Sequence, residues 1–329
     1  AVMFTVWANT SGGSASATVN ITVLEPTVDF TYQPNSIVLT RNETMSAVPP
    51  VFGTDANAEQ WAISPALPAG LNFSNGTISG TPLVNMTATV FTVHANNSAG
   101  TTTALLTITV LEPIATVVYI PENITLTRGE DNASIVPVLG GGMVAAWSIS
   151  PDLPTGMFFE NGSIMGVPLV NSTKTTYTVS AHNNGGTALA LVNITVVEPV
   201  AILAFNQSFL LTRGEDLVNE TANNTGGFVA SWDVSPELPA GVSLLDGVLY
   251  GVPTANLSLT TFTLWANNSG GSANVTFTLE VIEPVVILDY PDPEVVLVSG
   301  VSRGRIIPVV DGGVAENWTI EPALPPGLD

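Results

Sequence analysis

Residues Trp61–Pro82 read WAISPALPAGLNFSNGTISGTP. The same sentence returns as WSISPDLPTGMFFENGSIMGVP from Trp147, as WDVSPELPAGVSLLDGVLYGVP from Trp232 and, shortened, as WTIEPALPPGLD from Trp318. The four tryptophans are spaced by 86, 85 and 86 residues. A second landmark keeps the same period. The pairs Glu25-Pro26, Glu112-Pro113, Glu198-Pro199 and Glu283-Pro284 are spaced by 87, 86 and 85. Two unrelated landmarks on one period make the chain a tandem array. The expected units are residues 1–24 (the back half of one), 27–111, 114–197, 200–282 and 285–329 (the front half of another).

Each unit reads as β. An apolar run follows every Glu-Pro (TVDFTY, IATVVYI, VAILAF, VVILDY), and then comes a second one (SIVLT, NITLT, SFLLT, EVVLV). The unit closes on two long alternating stretches such as TVFTVHA and TTALLTITV. Alternation with a period of two, carried by Val, Ile, Thr and Phe, marks half-buried strands. Gly and Pro punctuate at short intervals, and no useful helical period appears. About seven short strands in roughly 86 residues is the load of an immunoglobulin-like sandwich.

The quoted stretch supplies the turns. Its two prolines cannot donate to a ladder, so the chain is expected to cross between sheets there. The glycine of LPxG (Gly70, Gly156, Gly241, Gly327) supplies a backbone conformation that a Cβ resists. Asn75-Gly76, Asn161-Gly162 and Asp246-Gly247 are tight hairpin signals. Each leading tryptophan is expected to pack between the two sheets.

Composition narrows the function. The 6 Lys+Arg stand against 27 Asp+Glu, a formal net charge of -21, which argues against a polyphosphate partner and so against nucleic acid. Without a cysteine there is no disulfide, thiolate metal site or thiol nucleophile. No apolar run reaches the 18 residues of a membrane span. The sole lysine, Lys174, excludes Lys–Asn cross-linking as a repeated device.

With W-x-[IV]-x-P-x-L-P-x-G-[LMV], then N/D-G-x-[IL]-x-G-[TV]-P and a strand ending in an A-N-N-S-G-G-like turn, the chain resembles the immunoglobulin-like (He_PIG-type, cadherin/dystroglycan-like) repeat modules of bacterial and archaeal surface proteins. That resemblance implies an all-β extracellular sandwich used in series as a filament, stalk, adhesin or surface-layer element. It implies no catalytic residue and no single ligand. Partners would be further copies or adjacent repeats, or cell-surface glycans.

Nineteen Asn-x-Ser/Thr sequons stand out: Asn9, Asn20, Asn42, Asn72, Asn75, Asn85, Asn96, Asn123, Asn132, Asn161, Asn171, Asn193, Asn206, Asn219, Asn223, Asn256, Asn267, Asn274 and Asn317. Their density and recurrence favour covalent N-glycans, outside the cell. The competing reading is that Asn and Thr are simply common in β turns. Calcium is the weaker chemistry. RGED at Arg128–Asp131 and Arg213–Asp216, with the linker glutamates, offers hard oxygens, but an adjacent arginine opposes a cation. A solvated turn with a local ion pair is the plainer expectation. His94 and His182 are not at equivalent positions and suggest no base or ligand, so no enzyme activity is expected. Trp7 and Trp265 lie two residues before a sequon asparagine, opposite the inward Val6 and Leu264. Sugar stacking and ordinary cross-strand packing are both open for them.

The first and last fragments together lack only the segment equivalent to Phe73–Thr87. The chain is therefore read as a window on a longer array, with donor-strand completion by a second copy as the alternative. The expected role is a structural segment of a large glycosylated surface protein. The alternatives are a carbohydrate- or cell-binding adhesin module, the stalk of a surface enzyme, or a polymerising subunit.

Overall fold

The computed structural model describes residues 1–53, 57–301 and 305–329, and all of its regular elements are strands. The second repeat shows the plan. A four-stranded sheet runs Asn123–Thr127, Gly186–Val197, Ser172–Asn183, Ala146–Ser150, with the first pair parallel and the others antiparallel. A three-stranded sheet runs Ala133–Ile135, Ser163–Gly166, Met157–Glu160. A two-stranded pair, Ala115–Val118 with Val138–Gly141, completes it. The first and third repeats have the same strand order. Among the described residues each repeat thus holds nine strands rather than about seven. The extra ones come from short apolar runs that pair locally.

The long strands are amphipathic as their alternation requires. Tyr177, Val179, Ala181, Val192, Ile194 and Val196 face inward and are buried, while their neighbours in sequence are not. All three repeats carry a register shift at the same point, between Met86 and Thr89, Ser172 and Thr175, and Leu257 and Thr260. A bulge so placed bends the long hairpin against the facing sheet. The buried residues form three separate cores, one per repeat.

The quoted stretch does cross between sheets. Ala146–Ser150 lies in the four-stranded sheet and Met157–Glu160 in the three-stranded one, with a cis Ser150–Pro151 bond between them. At Asn161-Gly162 both residues have positive φ (49° and 82°), which is the turn that the Asn-Gly pair favours. Trp147 does not sit deep between the sheets. It is half-buried and lies over this turn, where a Cβ on Gly162 would come within 2.8 Å of its ring. It packs on the rim of the core, against the buried cluster rather than within it.

Under the same turn, Tyr119 donates its hydroxyl to the Gly162 carbonyl at 2.5 Å, as Tyr32 does to Gly76. Burial pushes both phenols up to about 12. The third repeat has Phe205 at this place, packed instead on Phe209 and Phe277. Tyr119→Phe orphans a turn carbonyl. It is expected to cost the second repeat about 1 kcal/mol, read as faster hydrogen exchange in its strands alone.

Outside the three repeats, Val2–Thr10 and Gly13–Ile21 form one hairpin, exposed on both faces. Val6, expected inward, is 60% exposed because no second sheet covers it. Beyond Glu283 the described residues form a single pair, Val286–Asp289 with Val309–Gly312. Glu294–Val298, expected as a strand, forms none. Its counterpart Asn123–Thr127 pairs with the last long strand of its own repeat, and the described residues beyond 284 include no such strand. Trp318 is likewise 56% exposed.

Candidate functional site: a clasp at each junction

The parallel ladder sets up the site. Thr127 pairs with Val197, so Arg128 and Glu198, the next residue on each strand, emerge side by side. Thr40 with Leu111, and Thr212 with Ile282, place Arg41 by Glu112 and Arg213 by Glu283. The residue after each arginine has positive φ: Asn42 at 66°, Gly129 at 72°, Gly214 at 76°. Only Asn or Gly takes that conformation at little cost. Its N–H donates to the carbonyl of Pro82, Pro168 or Pro253 at 2.8, 2.8 and 2.9 Å. This ties the arginine turn to the proline turn that carries Asn85, Asn171 and Asn256.

Three side chains therefore converge. Arg41 grips Glu112 with two prongs, Nε to Oε1 at 3.1 Å and Nη2 to Oε2 at 2.8 Å, and Asn85 Nδ2 donates to Oε1 at 2.6 Å. Arg128 and Asn171 repeat this on Glu198 at 3.2, 2.7 and 2.6 Å. In the third copy Arg213 reaches Glu283 through Nη2 alone at 2.5 Å, with Asn256 on Oε1, and Arg213 Nε is left without a partner. Glu112 is 8% exposed and is the buried charged residue of the described chain. Forked, charge-assisted contacts of this kind fix geometry as well as adding energy.

The glutamate also reaches forward. Its backbone N–H donates to the next repeat: Glu112 to Asn184 Oδ1 at 2.8 Å, Glu198 to Ser269 Oγ at 2.9 Å. The carbonyl of the following proline accepts from that repeat's asparagine, Pro113 from Asn183 at 2.8 Å and Pro199 from Asn268 at 2.7 Å. Glycine lets the two backbones close up: a Cβ on Gly185 would fall 1.9 Å from the Glu112 carbonyl oxygen. Glu112-Pro113 and Glu198-Pro199 are thus each held by the preceding repeat through the glutamate side chain and by the following one through the backbone.

The Arg41 fork, then Asn85, holds the Glu112 carboxyl below the usual carboxylate range, and the backbone of Met143 in the next repeat acts in the same direction. Arg128 does so first for Glu198, and Asn256 for Glu283. A carboxyl depressed in the folded state stabilises above its unfolded pKa and loses that contribution as pH falls through its folded one. Junction order is therefore expected to hold at neutral pH and to relax only below 4.5, the ordinary glutamate value. Distance measurements between labelled repeats check this, with the cores still folded.

The structure sorts the sequons. Asn85, Asn171 and Asn256 are clasp donors, so their amide nitrogens are already engaged. Asn75 and Asn161 lead the tight turns and Asn42 holds the left-handed position. Asn267 donates to Asp233 and accepts from Ser272, and Asn193 donates to Asn123. Asn96, Asn193 and Asn267 are half-buried; the other sixteen are exposed. Trp7 is 63% exposed and Trp265 half-buried, both pointing outward.

RGED is no local ion pair. Arg128 leaves the turn for Glu198, while Asp131 Oδ2 accepts from Thr127 N at 2.6 Å, and Asp216 from Thr212 N at 2.6 Å. Of the linker carboxylates offered to calcium, Glu112, Glu198 and Glu283 are engaged by cationic and amide donors instead. The last unit's counterpart of this turn, Ser299–Ser302, has neither the arginine nor the acids; Gly300 keeps the positive φ (78°), and Ser302 lies outside the described residues. His182 pairs with Thr187 at 2.8 Å on the sheet surface. The clasp was missed at the sequence level, yet a signal existed. Asn stands 27 residues before Glu in all three repeats, and Arg stands 71, 70 and 70 residues before it.

Residues 27–111 match a family profile described as "Putative Ig domain". No curated protein matches the chain. Among solved structures it is similar to an I-band fragment of titin (TM-score 0.36, 13% identity, 80% of this chain and 100% of that one). It is also similar to extracellular domains 3-5 of Drosophila OTK (TM-score 0.35, 17% identity, 75% and 94%). A third is the N-terminal eight Ig domains of Down Syndrome Cell Adhesion Molecule (TM-score 0.38, 15% identity, 85% and 40%).

Proposed function

We propose that this chain, built of tandem immunoglobulin-like modules, is a stiffened spacer segment of a large extracellular, glycosylated surface protein. Tandem modules of this kind are typical of extracellular structural and adhesion proteins. The observation that carries the spacer reading is the clasp. A glutamate gripped by an arginine recurs at three successive junctions, and at two of them the next repeat also binds its backbone. A flexible tether has no use for an arginine–glutamate pair joined by an asparagine at each joint, because Gly/Ser-rich linkers give freedom more simply. Series of such joints transmit orientation from one repeat to the next.

The net charge of -21 supports a surface setting, since it keeps neighbouring arrays apart and hydrated. Among the described residues no helix is long and apolar enough to cross a membrane. Immunogold labelling of intact native cells with an antibody to the third repeat tests the reading. Labelled, beaded rods standing off the surface are expected. Labelling that appears only after the cells are broken contradicts it.

A further inference from the structure

The third repeat differs from the others on both of its outer faces. In the four-stranded sheet Trp265 stands directly opposite Asn274, where the second repeat pairs Ser180 with Leu189 and the first pairs His94 with Thr103. In the three-stranded sheet Tyr250 stands directly opposite Asn219, where the second repeat pairs Met165 with Ser134. Asn274 and Asn219 are both sequon asparagines, and both are exposed. Neither side chain has a hydrogen-bond partner among the described residues, in contrast to the clasp asparagines. Asn219 and Tyr250 also line a shallow cavity of about 490 Å³ with the exposed Leu217 and Leu245, an apolar surface that no described residue covers.

We propose that Asn274 and Asn219 carry N-linked glycans whose first sugars lie on Trp265 and Tyr250. This rests on the glycoprotein reading above and assigns it to two sites. Directly opposed side chains have Cβ atoms about 5 Å apart, within reach of a ring and the first sugar of a neighbouring asparagine. The C–H face of a pyranose is apolar and suits the face of an indole or phenol. Attachment needs a lipid-linked glycosyl phosphate donor. The asparagine Nδ2 bonds to the anomeric carbon, the carbon–phosphate oxygen bond breaks, the lipid phosphate leaves and one amide proton goes to base. At Asn85, Asn171 and Asn256 that nitrogen already serves the clasp, so occupancy there would come at the expense of the joint.

The test uses the full chain secreted from a host that N-glycosylates. Peptide mass spectrometry reads occupancy at every sequon, and timed digestion with an endoglycosidase under native conditions reads the rate of sugar release site by site. Glycans are expected at Asn274 and Asn219. Trp265→Ser should speed release at Asn274 about fivefold, the factor a ring contact of ordinary strength confers, without change at Asn219. Tyr250→Ser should do the converse, and Trp265→Phe should restore slow release. Both rings lie on outer faces, so the cores should survive these changes, and hydrogen exchange verifies it. The inference is overturned if release is indifferent to the opposing ring, or if both sites are bare while other sequons are modified. Bare asparagine at all nineteen would remove the glycoprotein reading as well.

Discussion

Gly156→Val is expected to unfold the second repeat while the first and third stay folded. Gly156 has φ +92°, a conformation that side chains rarely adopt, and a Cβ there would sit 2.1 Å from the Val167 carbonyl oxygen. The obstacle is backbone, held in turn by Leu169 N donating to the Thr155 carbonyl at 2.9 Å, so it cannot swing aside. A β-branched residue at such a point combines backbone strain with overpacking, together about 3 kcal/mol or more, a large share of a small domain's stability. The damage should stop at the junctions, because Ile164 and Val192 belong to a core separate from those of Ile78 and Leu106 or Leu249 and Phe277. Hydrogen exchange followed by mass spectrometry should find peptides around Tyr177 unprotected and those around Phe91 and Phe262 protected. Simultaneous loss in all three would mean one cooperative body.

Glu198→Ala should do the reverse: spare the cores and free the joint. The substitution deprives Arg128 of both its contacts and Asn171 of its acceptor, and it removes the carboxylate that also answers to the Phe228 backbone. The backbone bonds from Glu198 to Ser269 and from Asn268 to Pro199 remain, so the following repeat still holds the linker while the preceding one lets go. Each repeat should keep its own thermal transition, since an ion pair at the molecular surface contributes little to a packed core. What should change is the spread of angles between the second and third repeats. Glu198→Gln should lie between, because it keeps an acceptor for Asn171 and loses the charge that draws Arg128. The third clasp is a natural weaker version, with Glu283 35% exposed against 12% for Glu198.

Local features were legible in the sequence, and those that depend on distant pairing were not. Asn161-Gly162 announced its turn because two residues with positive φ need no partner elsewhere. The tandem period and the long alternating strands were equally plain, since the ladder between Ser172–Asn183 and Gly186–Val197 joins neighbours in sequence. Arg128 was misjudged because its nearest acids, Glu130 and Asp131, are close in sequence, whereas Glu198 is brought to it only by a parallel strand pair 70 residues apart. Asn85, Asn171 and Asn256 were noticed for their recurrence and assigned to glycans. That recurrence has a second physical reason, a carboxylate that needs a donor. The depth of Trp147 also escaped a pattern that records only sidedness.

The absence of cysteine makes the central claim directly measurable, because spin labels can be placed at will. Leu189→Cys and Leu259→Cys put one label on the exposed surface of each of two neighbouring repeats. Pulsed electron–electron resonance at neutral pH should give one narrow distance distribution with the clasp intact and a broad one with Glu198→Ala. A distribution equally broad in both, or equally narrow, would contradict a joint held by this glutamate.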